Sequence, residues 1–246
     1  MLTGFVGLEA LDFLELQYKP PFPLDAVITP SILERYDRIF LFLIKLFRMQ
    51  YVVHQLFRDS ASRTSYAQGV NPLAQRFRIE AHHFITAISQ YMMQVAITGN
   101  WHTFTNTLSR IHQSLETHDA KVFSISEVRE LHSRTVDRMT YCCFLKKKQS
   151  PILALLYGTF EPVLLFAKIS RLYARREQRV WSRMREEMED NTRILYAQFG
   201  KRAGMFVRVV QQMENRGIGK GEDKGEYEGG WFADLLVRLD GSYFDR

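Results

Sequence analysis

Apolar residues in this chain recur at helical steps over most of its length. Ile32, Tyr36, Ile39, Phe40, Leu43, Phe47, Tyr51 and His54 follow one another three or four positions apart, which is the spacing of one helical face. Ile39 to Ile44 is apolar at every position, so this helix, from Thr29 to about Phe57, should be buried on more than one side. That run is too short to span a bilayer, which takes roughly 20 residues. Phe77, Phe84, Ile88, Tyr91 and Val95 predict a second helix, closed at Gly99-Asn100. Trp101, Phe104, Leu108, Ile111 and Leu115 predict a shorter third. Val128, Leu131, Val136, Met139 and Phe144 predict a fourth. A charged helix is expected from Arg171 to Gln212 and a last short one from Trp231 to Leu239.

The boundary residues agree with these periods. Thr29-Pro30 and Asn71-Pro72 each set a capping side chain before a proline, which fits the first helical position because its missing N–H is not needed there. Ser31 with Glu34 offers an alternative capping box within the same turn, and Ser124 with Glu127 another before the fourth helix. Lys146 to Lys148 should favour the negative end of that fourth helix. Ser150-Pro151 opens a further helix, which Glu161-Pro162 should kink or break. Phe13 to Tyr18 alternates weakly, as a short strand or extended arm would, and Pro20, Pro21 and Pro23 forbid regular helix after it. Asp59 to Asn71 reads as a polar loop. Positions 213–230, rich in Gly, Glu and Lys from Gly217 onward, read as a flexible one. There is no internal repeat. The expected class is all-α: a helical bundle with long antiparallel helices and a short extended N-terminal arm.

Composition narrows this little. The chain has 246 residues, 46% of them hydrophobic, enough for a sizeable core. Its net charge is +6 and its pI about 9.3, which favours acidic partners without choosing among them. Cys142 and Cys143, the only cysteines, are adjacent and make no disulfide framework. No secretory signal is visible in Met1 to Ala10.

Chemical motifs are sparse. Gly217-Ile218-Gly219-Lys220-Gly221 lacks the earlier glycine, the following Ser or Thr and the preceding strand of a phosphate loop. His82 and His83 point roughly 100° apart on a helix, and His112 and His118 have no partner cysteine, so no metal is expected. No Gly-x-Ser-x-Gly elbow is present, and no catalytic residue or cofactor site is assigned. Arg171, Arg175, Arg179 and Arg183 step by four, with Arg176 and Arg185 beside them. They suggest a solvated helix face or, as the rival reading, a basic helical nucleic-acid-binding protein.

Two segments carry a resemblance. One is Ile28-Thr29-Pro30-Ser31-Ile32-Leu33-Glu34-Arg35-Tyr36-Asp37-Arg38-Ile39-Phe40, continuing through Leu43, Lys45, Arg48 and Tyr51. The other is Asp234-Leu235-Leu236-Val237-Arg238-Leu239-Asp240. Between them, Arg78, His82, Phe84, Gln90, Tyr91, Trp101, Pro151-Ile152-Leu153, Phe199, Met205, Phe206 and Val209 fall in comparable order. Together they resemble the C-terminal domain of the gamma-tubulin complex component family, which includes spindle-pole-body components. Met92 stands where the family has a second Tyr, Ala96 to Asn100 lack its acidic character, and Gly241-Ser242-Tyr243-Phe244 departs from its usual ending. The resemblance therefore implies a divergent, accessory member.

The resemblance implies a partial gamma-tubulin-binding helical domain over 1–246, without the lateral-contact domain and the first helices of the family pattern. A fragment or truncated product is expected. It further implies a non-catalytic scaffold acting in microtubule nucleation at a microtubule-organising centre or spindle pole body. The expected partners are gamma-tubulin and other gamma-tubulin complex components, with no nucleic acid and no membrane. Candidate contact residues are Arg35, Arg38, Arg238, Asp240, Tyr243 and Phe244, polar or aromatic positions beside the family-like segments.

Overall fold

A computed structural model describes residues 11–62, 71–116, 124–174, 181–216 and 230–239. Its helices are α1 (Pro30–Ser62), α2 (Pro72–Tyr91), α3 (Asn100–Glu116), α4 (Ile125–Cys142), α5 (Ser150–Ala174), α6 (Trp181–Arg216) and α7 (Ala233–Leu239). No strand occurs among the described residues, so the class is all-α. The arm from Leu14 to Pro21 is extended, without regular structure, and a single 3-10 turn at Leu24–Ala26 follows its prolines.

Several helix starts form as the sequence dictates. Asn71 Oδ1 accepts from the backbone of Leu73 and Ala74 at 2.9 and 3.1 Å. Ser124 and Glu127 close a reciprocal capping box. Pro30 and Ser150 are the first residues of their helices.

Several helix-boundary expectations fail, among them the polar loop from Asp59, since α1 continues to Ser62. Gly99-Asn100 does not end a helix. The chain instead widens into a π-helix over Met92–Gly99 and runs straight into α3. Gly99 serves close approach here: an added Cβ would stand 3.3 Å from the Gln94 carbonyl. Asn100 is buried and turns its amide back onto the Ala96 carbonyl at 2.8 Å, so it bonds within the helix rather than ending it.

Pro162 does not break α5 either. Its missing N–H orphans the Gly158 carbonyl four residues back. Arg202 of α6 donates to that oxygen at 2.6 Å and to Glu161 at 2.8 Å, which replaces the lost bond.

The charged helix expected from Arg171 to Gln212 is two elements. Arg171 lies near the end of α5, and α6 begins at Trp181 and extends to Arg216. Met213 to Arg216, expected in a loop, are therefore helical, and Met213 is buried. Positions 217–229, including the glycine-rich segment, lie outside the described residues.

The chain forms two compact units. The first takes the described residues of Lys45–Ser89 and Pro151–Arg246. Its core is aromatic. Phe77 of α2 lies 4.5 Å from Phe166 of α5 and 5.4 Å from Phe199 of α6, centre to centre. Phe84 meets Phe199 and Phe206 edge-on at 5.7 and 6.0 Å, a favourable arrangement of ring quadrupoles. These contacts rise together in both helices, so α2 and α6 run in the same direction. Ser89 bonds Gln50 while His82 meets His54 and Phe57, which makes α1 and α2 antiparallel. Buried Glu80 accepts from Arg76 at 2.8 Å and from the Tyr196 hydroxyl, satisfying its charge.

The second unit takes Leu11–Ile44 and Gln90–Ser150. Ile32, Ile39 and Phe42 of α1, Tyr91, Met92, Phe104, and Val136 and Met139 of α4 are buried there.

By length and composition Pro30–Arg58 and Ile125–Leu172 are apolar enough to cross a membrane, so the bilayer argument from the short run of α1 does not hold for the whole helix. Core packing accounts for much of that apolar character: Ile32, Ile39, Phe42, Leu46, Met49, Val53 and Leu56 all face the protein interior.

Candidate partner-binding site

The second unit gathers its charges where α1 meets the end of α4. Asp137 Oδ1 accepts from Arg35 at 3.0 Å and from Lys146 at 2.8 Å, and Arg35 also donates to Ser133 at 3.2 Å. Each of the three charged side chains is partly exposed. Arg38, one turn along α1, donates to the Leu145 carbonyl.

That carbonyl is presented by an unusual turn. After α4 the Leu145 N–H bonds the Thr140 carbonyl and the Phe144 N–H bonds the Tyr141 carbonyl, the paired closure that usually places glycine at the left-handed position. Here the residue is Phe144, with φ of 60°. An L side chain in that region costs on the order of 1 kcal/mol. Full burial of the Phe144 ring offsets it.

One step deeper, the Tyr36 hydroxyl and His132 Nε2 are 2.8 Å apart. Burial pushes the Tyr36 pKa up to about 12 and the His132 pKa down. The Val27 backbone partly offsets the histidine shift. Both directions hold the pair neutral. Trp101 and Phe104 pack their rings against His132 at 6.4 and 5.4 Å.

Cys142 and Cys143 are buried free thiols. Burial pushes Cys142 up to about 12 and Cys143 up as well, which removes the thiolate that nucleophilic chemistry needs. Among the described residues no group of three or more His, Cys, Asp and Glu is placed to hold a metal ion.

The candidate contact residues are thus distributed as follows. Arg35 and Arg38 share the α1–α4 junction of the second unit. Arg238 belongs to α7 of the first unit, where it pairs with Asp234 one turn back. Asp240, Tyr243 and Phe244 lie outside the described residues. Asp137 and Ser133 were not singled out from sequence, because their partner Arg35 lies some hundred residues away along the chain. Lys146 and Phe144 were expected at the end and on the apolar face of the fourth helix, but α4 ends at Cys142 and both lie beyond it. The arginine stripe is not one helix face: Arg171 is on α5, Arg183 and Arg185 are on α6, and Arg175, Arg176 and Arg179 lie outside the described residues.

The family model described as gamma tubulin complex component C-terminal matches residues 4–244. The chain belongs to this family. Gamma-tubulin complex component 6 of Mus musculus is 28% identical over 163 residues, covering 64% of this chain and 8% of the relative. The Homo sapiens component 6 is 25% identical over 162 residues, with 64% and 8% covered. Gamma-tubulin complex component 3 of Arabidopsis thaliana is 24% identical over 188 residues, covering 70% of this chain and 21% of the relative. The chain therefore matches a small part of these relatives' length, and the identities are those of a divergent family member.

Proposed function

We propose that this chain is a non-catalytic scaffold segment that docks gamma-tubulin and holds it for microtubule nucleation. The observation that carries the reading is the family match from residue 4 to residue 244, with relatives named as gamma-tubulin complex components. A body of long, mutually packed helices suits the task. Holding subunits at fixed spacing lowers the entropic cost of assembling the first ones. A net charge of +6 would speed and orient the approach of an acidic partner more than it would tighten binding.

In this reading the partners are gamma-tubulin and other gamma-tubulin complex components, at a microtubule-organising centre or spindle pole body in the cytoplasm. Arg35, Arg38 and Arg238 each have an internal partner, so they shape the docking surface as much as touch it. Asp240, Tyr243 and Phe244 stay in the proposal on the resemblance alone.

The test is a pull-down of purified gamma-tubulin on the immobilised chain, with folding checked by circular dichroism. Retention of gamma-tubulin at micromolar concentration is the expected result. A folded chain that retains none removes the reading.

A further inference from the structure

Two imidazoles from different helices meet at the surface of the first unit. His54 of α1 and His82 of α2 stand with their ring centres 5.0 Å apart and their planes at 64°. His54 is exposed and His82 half-buried, so solvent reaches the pair. Among the described residues no hydrogen bond engages either ring. Their contacts are with each other and, for His82, with the Phe57 ring at 5.4 Å. The helices beneath them are fixed. Val53 and Leu56 on α1 and Ala81 and Ile85 on α2 are buried beside the two histidines, and further along Ser89 bonds Gln50 at 3.0 Å. The packed helices therefore set the separation of the rings.

We infer that His54 and His82 clamp a divalent first-row transition-metal ion, of the Zn²⁺ and Cu²⁺ class, between α1 and α2. The spacing carries the argument. With a metal about 2.1 Å from one nitrogen of each ring, the ring centres lie about 4.5 Å apart for a bond angle of about 90° and about 5.2 Å apart for one of about 110°. The observed 5.0 Å falls between these limits. Which ring atom faces the metal is decided by χ2, a soft torsion whose axis passes near the ring centre. Turning a ring thus aims a nitrogen without changing the spacing. The ligand type selects the ion, because imidazole suits Zn²⁺, Cu²⁺ and Ni²⁺ whereas Mg²⁺ and Ca²⁺ take oxygen. Glu80, two residues before His82, is buried and committed to Arg76 and Tyr196, so it supplies no oxygen here. His83 is not a third ligand, since adjacent helical residues point roughly 100° apart. Arg58, one turn beyond His54, is a cation and works against the site. Two protein ligands leave the remaining positions to water, which makes the site an open one of moderate affinity. Spacing along the sequence hides it, because each histidine finds its partner on another helix. The inference goes beyond the gamma-tubulin reading and does not require it.

Isothermal titration of the full chain with Zn²⁺ tests it, on metal-stripped protein carrying no histidine tag. One ion per chain should bind with a dissociation constant in the micromolar range, and Mg²⁺ should not bind. His54→Gln and His82→Gln should each weaken Zn²⁺ binding ~tenfold or more. A control variant on α3, His102→Gln with His112→Gln, should leave it unchanged. Zn²⁺ should also raise the urea midpoint of the wild type and the control but of neither clamp variant, because the two histidines converge only in the folded chain. His54 is exposed, so His54→Gln should keep the wild-type helical circular dichroism and suffices even if His82→Gln folds poorly. Cu²⁺ reads the ligands directly. Its electron paramagnetic resonance spectrum should show two coordinated imidazole nitrogens in the wild type and one in His54→Gln. Binding weaker than millimolar overturns the inference, as does an affinity or a Cu²⁺ spectrum that His54→Gln leaves unmoved. So does loss of binding in the control, which would place the ion on the α3 histidines instead.

Discussion

The two units are stabilised by different physics. In the first, Phe77, Phe84, Phe166, Phe199 and Phe206 interlock, and ring packing dominates, with the buried Glu80–Tyr196 bond beside it. In the second, the apolar core is overlaid by polar latches between segments some hundred residues apart: Arg35 to Asp137, Arg38 to the Leu145 carbonyl, Tyr36 to His132. Apolar burial is non-directional and supplies most of the folding free energy. Hydrogen bonds contribute less in net terms but are costly to leave unmade, and they fix one register among several.

Removing a ring from the first unit should have the largest effect. Phe84→Ala should cost about 3–5 kcal/mol in urea unfolding, the usual penalty for emptying a fully buried aromatic site. In the second unit Asp137→Ala should cost about 1–2 kcal/mol, because Arg35 and Lys146 are partly exposed and water replaces the carboxylate in part. Asp137→Asn, which keeps an acceptor in place, should cost less than Asp137→Ala. If the Asp137→Ala and Phe84→Ala losses are equal, the division between ring-packed and latch-held units is wrong.

The Arg202 latch of the first unit tests whether the rule follows chemistry rather than location. Arg202→Met strips the donor from the Gly158 carbonyl that Pro162 leaves orphaned, at a cost of about 1–2 kcal/mol. In a Pro162→Ala background the backbone N–H is restored and can take over that bond. There the same Arg202→Met should cost less than half as much. A double-mutant cycle by urea denaturation measures the difference, and strict additivity would exclude the compensation.

Several features set by near neighbours were legible in advance. The capping box at Ser124, the starts at Asn71-Pro72 and Ser150-Pro151, and the helix content all follow from residues within a turn of one another. The rule failed where a distant residue supplied the missing partner. Pro162 reads as a break until Arg202 is seen, 40 residues away. Gly99 reads as a stop, yet its lack of a side chain serves the close carbonyl of a π-turn. Phe144 occupies a position that glycine usually signals, so the turn presenting Leu145 to Arg38 was invisible. Periodicity also grouped Phe47, Tyr51 and His54 with the buried row of α1, when the winning face is the one through Leu46, Met49, Val53 and Leu56. Family-like segments showed where Arg35 and Arg38 lie in the chain, but not that both are committed to internal bonds.

The smallest expected effect is also the most specific to the second unit. His132 has its pKa lowered, chiefly by burial, so the unfolded chain takes up its proton more readily than the folded one. Its stabilising contribution is complete above the ordinary histidine value near 6.5 and declines as pH falls from there through the folded value, by no more than about 1.4 kcal/mol per pH unit. His82 in the first unit is lowered too, by burial and then by His54 and His83, and slopes in the same sense. The two are separated by difference. Tyr36→Phe with His132→Phe removes the latch without orphaning either partner, and should flatten part of the stability loss between about pH 7 and pH 5 while leaving the His82 share. The same variant should abolish the opposite trend in alkali. Tyr36 is raised to about 12, so its contribution is present below the ordinary tyrosine value near 10 and is lost as pH climbs from there towards 12. Wild type and variant with parallel pH–stability curves at both ends would mean that the Tyr36–His132 pair holds nothing in place.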